Sequence, residues 1–169
     1  MEAKGAWVTV TPALIDSQYT ALLLDLANVA RAVGAGIDAE DVAQDVLLHG
    51  RVHLDQLRDE AKLVPWLRRM TVRTASRVRD RRRRQHDAVD WQMGPVDPNV
   101  GLDLAKAIAA LPERQRAALV LVFAYGYTQE EAAEMLGVHR GTIAASLWHA
   151  RRRLAKELAD YRSGQGGAM

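Results

Sequence analysis

Residues Tyr127 to Leu158, YTQEEAAEMLGVHRGTIAASLWHARRRLAKEL, constrain this chain most, because they carry their own start, turn and packing signals. Thr128 is a good N-cap, and Glu131 three residues on completes a capping box. The short helix that follows puts Ala132, Ala133 and Leu136 on one face. Gly137 sits where a left-handed residue ends a helix. A longer helix then carries Ile143, Leu147, Ala150, Leu154 and Leu158 as one apolar stripe. From Arg140 to Lys156 its charges (Arg140, Arg151, Arg152, Arg153 and Lys156) are all basic. A capped helix, a glycine turn and a basic helix are the parts of a helix-turn-helix, whose second helix offers its N-terminal side chains to the major groove. A plain αα-hairpin would share the apolar pattern; the unbroken basic sign is what points to DNA.

The remaining composition narrows the class. The 169 residues suit one domain or two small ones, and 49% hydrophobic content is enough for a core. With no cysteine, disulfides, thiolate zinc sites and thiol redox chemistry are excluded within the chain. The N-terminus lacks a secretory pattern and no window approaches a membrane span, so a soluble, cytoplasmic protein is expected. Net charge is only +2, but it is segregated. Residues 38–60 hold seven acids against Arg51 and Arg58, and residues 62–84 hold ten bases against Asp80. An acidic block beside a basic block suggests two different partners. Arginine's planar fork suits phosphates and base edges, and nineteen arginines stand against four lysines; a GC-rich genome would produce the same bias.

Taken in order, residues 1–16 read as an irregular leader. A helix is expected over 17–33 on the spacing of Leu22, Leu23, Leu26, Val29, Ala30 and Val33, ended by Gly34 and Gly36. Asp38 is expected to cap the next helix, with Ile37 and Val42 as a hydrophobic staple. There Val42, Val46 and Leu47 face inward, while Asp41, Gln44 and Asp45 share an exposed face. Acids near a helix N-terminus are also explained by the helix dipole alone. His49 and His53 lie four apart, and with Asp45 they imitate a metal site. No second ligand cluster accompanies them and Gly50 reads as a helix stop, so no metal is assigned.

Pro65 is expected at the first position of a helix over 65–84, with Leu63, Leu67, Met70, Thr74 and Val78 inward and Trp66 beside them. Thr71, Val72 and Thr74 weaken the middle of that helix. Arg69, Arg73, Arg77 and Arg81 form a ridge on another face, which with Trp66 suits a nucleic-acid surface; a core position for Trp66 is the competing reading. Residues 85–100 contain Gly94, Pro95, Pro98 and three acids without Lys or Arg, and read as a flexible linker. Leu102, Ile108 and Leu111 mark a helix ended by Pro112, which opens another reaching Ala124. Residues 161–169 read as a disordered tail. The fold class expected is therefore all-α: two small helical domains, 17–84 and 101–160, the second ending in the helix-turn-helix. No phosphate loop, nucleophile motif or paired carboxylates are present, so no catalytic residue and no cofactor is assigned and an enzyme is not expected.

Four stretches in this order resemble the extracytoplasmic-function sigma factors of bacterial RNA polymerase. They are AEDVAQDVL at 39–47, PWLRRMTVRTASRVRDRRRR at 65–84, ALPERQRAALVLVFAYGYTQEEAAEML at 110–136 and GVHRGTIAASLWHARRRL at 137–154. The resemblance implies an initiation factor that joins core RNA polymerase, reads the −10 and −35 promoter elements and helps melt the duplex. It implies that Asp41, Gln44 and Asp45 dock on the β′ clamp helices. It implies that Trp66, Arg69, Arg73 and Arg77 meet the −10 element, both as duplex and as single strand with a flipped base. The linker is expected near the RNA exit channel. Thr128, Arg140, Thr142, Ala144, Ala145, Ser146, Trp148, His149 and Arg151 are implied as −35 readers, with the apolar side of that domain on the β flap. An anti-sigma factor is the implied inhibitor; no small-molecule substrate and no membrane insertion are implied.

The chain departs from the family at two points. Arg73 stands where an asparagine is frequent, and arginine accepts no hydrogen bond. Ala144, Ala145 and Ser146 stand where basic, serine and basic residues are common, which reduces phosphate contacts and offers methyl contacts to thymine instead. The competing functions are a stand-alone helix-turn-helix regulator, which leaves 38–84 unused, and a small metal enzyme on Asp45, His49 and His53.

Overall fold

A computed structural model of the chain describes residues 11–85 and 102–165. Among them lie eight α-helices and no strand: α1 Pro12–Ser17, α2 Tyr19–Val33, α3 Ala39–Val52, α4 Leu63–Gln85, α5 Leu102–Ala109, α6 Glu113–Leu119, α7 Gln129–Leu136 and α8 Arg140–Gln165. The all-α class is as expected. No helix among the described residues is long and apolar enough to cross a membrane. The expected linker falls almost wholly in 86–101 and so outside the described residues, as do residues 1–10 and 166–169.

Both ends of the described residues are more regular than their composition suggests. Pro12 starts α1 at a position where its missing N–H costs nothing, and Ile15 is buried at 2% exposure against the first core. Ile15, with Leu14 beside it, therefore fixes the α1 turn to the core. At the other end α8 runs on to Gln165, past the point where a tail was expected at residue 161.

Helices α2, α3 and α4 form the N-terminal half around Leu22, Leu26, Leu47, Leu63 and Leu67. Gly34 closes α2 in the left-handed region, with φ of 101°. Three sequence expectations change here. Asp38 precedes α3 but makes no side-chain cap; its carboxylate pairs with Arg82 at 2.7 Å instead. Ile37 is 63% exposed, so the staple does not form. Gly50 does not stop α3 but lies inside it, and an added Cβ would sit 2.7 Å from Leu67 Cδ2. That glycine is a contact point letting α3 and α4 approach closely.

Helix α4 is continuous and begins at Leu63, two residues before Pro65. Its β-branched middle does not break it, because Thr71 turns its hydroxyl back to the Leu67 carbonyl at 2.9 Å. In the C-terminal half Pro112 is the N-cap of α6 rather than its first residue. Past Leu119 the chain widens into a π-type turn over Val120–Ala124, where the Tyr125 N–H reaches the Val120 carbonyl at 3.1 Å. Arg116 is buried at 5% exposure beneath this region. Its Nη1 donates to the carbonyls of Leu111 and Ala109 at 3.0 and 3.2 Å, tying the α5–α6 corner. Burial pulls its guanidinium down to about 10, opposed by Glu113, so it stays charged at neutral pH.

The halves are not beads on a string. One apolar cluster runs from Val29, Val33, Val72 and Ala75 of the first half to Leu111, Ala118, Leu121 and Ile143 of the second. Helix α2 lies against α6, and α4 lies against α7. This explains a misreading of α4. Its fully buried residues include Thr71, Val72 and Ala75, while Met70, Thr74 and Val78 are only half-buried. A single stripe was expected; α4 has two packed faces, and the second is covered by residues distant in sequence.

Candidate nucleic-acid interface

Helix α3 presents a sharply two-sided surface. Val42, Ala43, Val46 and Leu47 are buried, while Asp41, Gln44 and Asp45 are exposed. Leu48 and Val52 continue the exposed side at 64% and 74% exposure. Composition hid them, because exposed leucine and valine inside an amphipathic helix look like core residues. The rings of His49 and His53 meet at a tilt of 51°, with centroids 4.2 Å apart. Among the described residues no group of three or more His, Cys, Asp or Glu side chains converges as a metal site.

Helix α4 divides its arginines by face. Arg69, Arg73 and Arg77 stand exposed in one row, with Trp66 half-buried at its N-terminal end. Arg68, one residue from Arg69, points the other way. It grips Asp25 through two bonds of 2.9 Å, and Tyr125 stacks 4.2 Å from its guanidinium carbon. Burial draws Arg68 down, but the Asp25 acceptors more than offset this and leave it above its ordinary value. Arg79 and Arg82 are likewise engaged, with Glu113 at 3.1 Å and Asp38 at 2.7 Å.

Two arginines of this row, Arg73 and Arg77, border a cleft of about 460 Å³ between α3 and α4. Asp45 and His49 line one wall, and Arg73 and Arg77 the other. The structure therefore brings the end of the α3 acidic set beside the α4 basic set. Trp66 and Arg69 are not among the residues lining that cleft.

The helix-turn-helix forms as its local signals direct. Thr128 Oγ1 accepts from the Glu131 N–H at 3.2 Å, and Glu131 Oε2 accepts from the Thr128 N–H at 2.9 Å. The second bond holds the Glu131 carboxylate below its ordinary range, with the Thr128 hydroxyl contributing next. Gly137 takes φ of 65° at the turn. Ile143, Leu147 and Ala150 are then buried, and Arg140, Ala144, Ala145, Trp148, His149 and Arg151 face outward.

Thr142 and Ser146 belong to a different flank. They are half-buried and line a 250 Å³ cleft shared with Arg79, Asp80 and Arg114. On the opposite flank, Arg151 lies 5.0 Å over Phe123, and Arg152 lies 4.7 Å over Trp148. Phe123 and Arg152 were not among the residues expected at the −35 surface. Their spacing alone does not show that an exposed ring from the π-type turn meets α8.

These features define a class: an all-helical protein with a helix-turn-helix, a basic helix in each half and an exposed acidic face on α3. The family described as "Sigma-70, region 4" matches residues 101–154. The ECF RNA polymerase sigma factor SigM of Mycobacterium tuberculosis is 33% identical over 133 residues, covering 75% of this chain and 67% of SigM. The ECF RNA polymerase sigma factor SigF of Caulobacter vibrioides is 32% identical over 136 residues, covering 76% of this chain and 75% of SigF. Among solved structures, the sigma factor RpoE in complex with the anti-sigma factor NepR from Bartonella quintana superposes with a TM-score of 0.64 at 27% identity. That alignment covers 86% of this chain and 96% of RpoE.

The chain belongs to the ECF RNA polymerase sigma factors. It is thus a transcription initiation factor that works with core RNA polymerase at promoters, and not a stand-alone operator-binding regulator.

Proposed function

We propose that residues 17–84 dock on core polymerase and meet the −10 element, and that residues 101–160 read the −35 element. The observation that carries this division is the separation of surfaces by sign. The α3 face is acidic with an apolar continuation at Leu48 and Val52, the α4 row is basic, and behind the capped α7 helix α8 presents a basic one. A mixed acidic and apolar strip fits a partner helix pair carrying basic and apolar side chains. Asp41, Gln44 and Asp45 are its polar anchors.

On α4, Arg69, Arg73 and Arg77 supply phosphate contacts, and Trp66 supplies an aromatic face for an unstacked base. On α8, Arg140 and Arg151 hold the backbone, Ala144 and Ala145 approach base methyls, and Trp148 and His149 extend the contact. Thr128, at the N-terminus of α7, offers a further backbone contact. Thr142 and Ser146 reach DNA only at its edge, because their flank faces α4. The chain performs no chemical step; promoter melting draws on binding energy alone. RpoE, the structural relative above, was captured with an anti-sigma factor, and a protein inhibitor of the same kind is proposed for this chain.

The test is binding to core polymerase. A double substitution, Asp41→Ala with Asp45→Ala, is expected to weaken core binding by at least tenfold while leaving the helical content unchanged. Unaltered core affinity would remove α3 from the interface.

A further inference from the structure

We propose that Trp148 and Phe123 are positioning residues for promoter DNA. Each holds one arginine of α8, Arg152 and Arg151 respectively, ready to meet a backbone phosphate. This rests on the reading of α8 as the −35 surface and supplies that surface with its phosphate grip.

The need for such a device lies in the sequence of the helix. Between Arg140 and Arg151 there is no Lys or Arg, so the turns that carry Ala144 and Ala145 bring no fixed cation. Arg140, at the head of α8, is shared with Glu130 of α7 at 2.5 Å. Phosphate contacts supply much of a protein's affinity for a duplex, so here they fall to the arginines from Arg151 onward. Arginine has many rotamers, and the freedom lost when a phosphate fixes one is subtracted from the contact.

The two rings reduce that loss by ordering the arginines beforehand. Trp148 and Phe123 are 53% and 54% exposed, so neither is explained as a core residue. Each ring is covered by a guanidinium instead. Arg152 Cζ lies 4.7 Å from the Trp148 centroid, and Arg151 Cζ lies 5.0 Å from that of Phe123. Trp148 and Arg152 are neighbours on one helix face, four residues apart. Phe123 reaches Arg151 from the π-type turn, so that pair is set by tertiary packing. The His149 ring meets Trp148 edge-on at 81° and 4.8 Å, which steadies the indole from the other side.

Arg68 shows what an arginine looks like when it is used internally. It too meets a ring, Tyr125 at 4.2 Å, but its N–H fork is taken by Asp25 through two bonds of 2.9 Å. Arg151 and Arg152 have a ring without a carboxylate partner among the described residues. Stacking engages the face of a guanidinium and leaves the donors in its plane for a phosphate. Trp148 thus acts on DNA through Arg152, and Phe123 through Arg151.

The experiment is a double-substitution cycle in holoenzyme made from core polymerase and the full chain, bound to a labelled duplex promoter fragment at which it initiates. Trp148→Leu should weaken the complex about two- to fivefold, the size of an exposed cation–π contact. Arg152→Ala should weaken it further and lower the salt slope by about 0.9, the value for one phosphate. Trp148→Leu added to Arg152→Ala should cause no further loss, and Trp148→Phe should restore most of the wild-type affinity. Phe123→Leu and Arg151→Ala should give a second cycle of the same shape. In the NMR spectrum of the free chain, the Arg152 Hδ protons should show an upfield ring-current shift that Trp148→Leu abolishes.

An equal loss from Trp148→Leu in both backgrounds would mean that the indole touches DNA itself or only supports the helix, and would overturn the positioning role. An Arg152→Ala salt slope equal to wild type, or no ring-current shift in the free chain, would overturn it as well. An additive cycle at a promoter that depends on its −35 block sinks the positioning role alone. Initiation with no dependence on any −35 block sinks the −35 reading, and the positioning role with it.

Discussion

Helices α4 and α8 are both long, basic and carry four or more arginines, yet they are stabilised differently. Helix α8 buries one stripe, Ile143, Leu147 and Ala150, and leaves Arg140, Arg151, Arg152 and Arg153 outside, two of them lying over the aromatic rings of Phe123 and Trp148. Helix α4 is packed on two sides. Its arginines are sorted into an exposed row and a set paired with Asp25, Glu113 and Asp38. The difference teaches that charge count alone does not identify a nucleic-acid surface. Arg68 and Arg69 are adjacent, and only Arg69 is available to a phosphate.

The largest expected effect separates core from docking face. Leu121 is fully buried in the C-terminal half, and Leu121→Ala should cost roughly 2–5 kcal/mol in urea unfolding. Val72 is equally buried but lies on the α4 face covered by the other half. Val72→Ala removes two methyl groups, about 1.5 kcal/mol of burial. Its distinguishing mark should be a loss of coupling between the halves, seen as earlier amide exchange at their contact. Equal effects at both sites, with no such exchange change, would erase the contrast.

A smaller effect tests the locally built helix pair. Thr128→Ala removes the N-cap acceptor and should lower stability by about 1 kcal/mol, confined to α7 and α8. Thr128 is also proposed to touch DNA, so Thr128→Asn, which caps without restoring the hydroxyl, separates the two losses. The smallest effect is on pH dependence. The Glu131 carboxylate is held below its ordinary value by the Thr128 N–H. Its contribution is therefore present above the unfolded carboxylate value, about 4.3, and is lost as pH falls through the lower folded one. An NMR titration of Glu131 should show a midpoint below 4.3, about the free-glutamate value, and Thr128→Ala should raise it; a midpoint at the free value would remove the box.

Legibility in sequence follows the range of the interactions. The capping box, Gly137 and the α8 stripe are set within one or two turns, and each stands where the residues indicate. The α3 pattern of Val42, Val46 and Leu47 inward with Asp41, Gln44 and Asp45 outward is equally local. What sequence could not supply was the partner of a surface. Val72 and Ala75 are buried by residues beyond position 110, so a one-stripe reading passed over them. Gly50 reads as a stop because glycine usually weakens helices, yet it serves a helix crossing. Asp38 has the identity of a cap but meets an arginine 44 positions later. The polar contacts of Arg68 and Glu113 needed the docked geometry to be seen at all.

The most direct test of the account is transcription by core RNA polymerase from fragmented genomic DNA, with and without the chain, mapping RNA 5′ ends. New discrete starts should share two upstream blocks, near −10 and −35. Arg73→Ala should alter the first block alone, and Ala144→Lys the second alone. No new starts would contradict initiation-factor function in the isolated chain. A single shared block, or one that shifts with both substitutions, would contradict the assignment of α4 and α8 to separate elements.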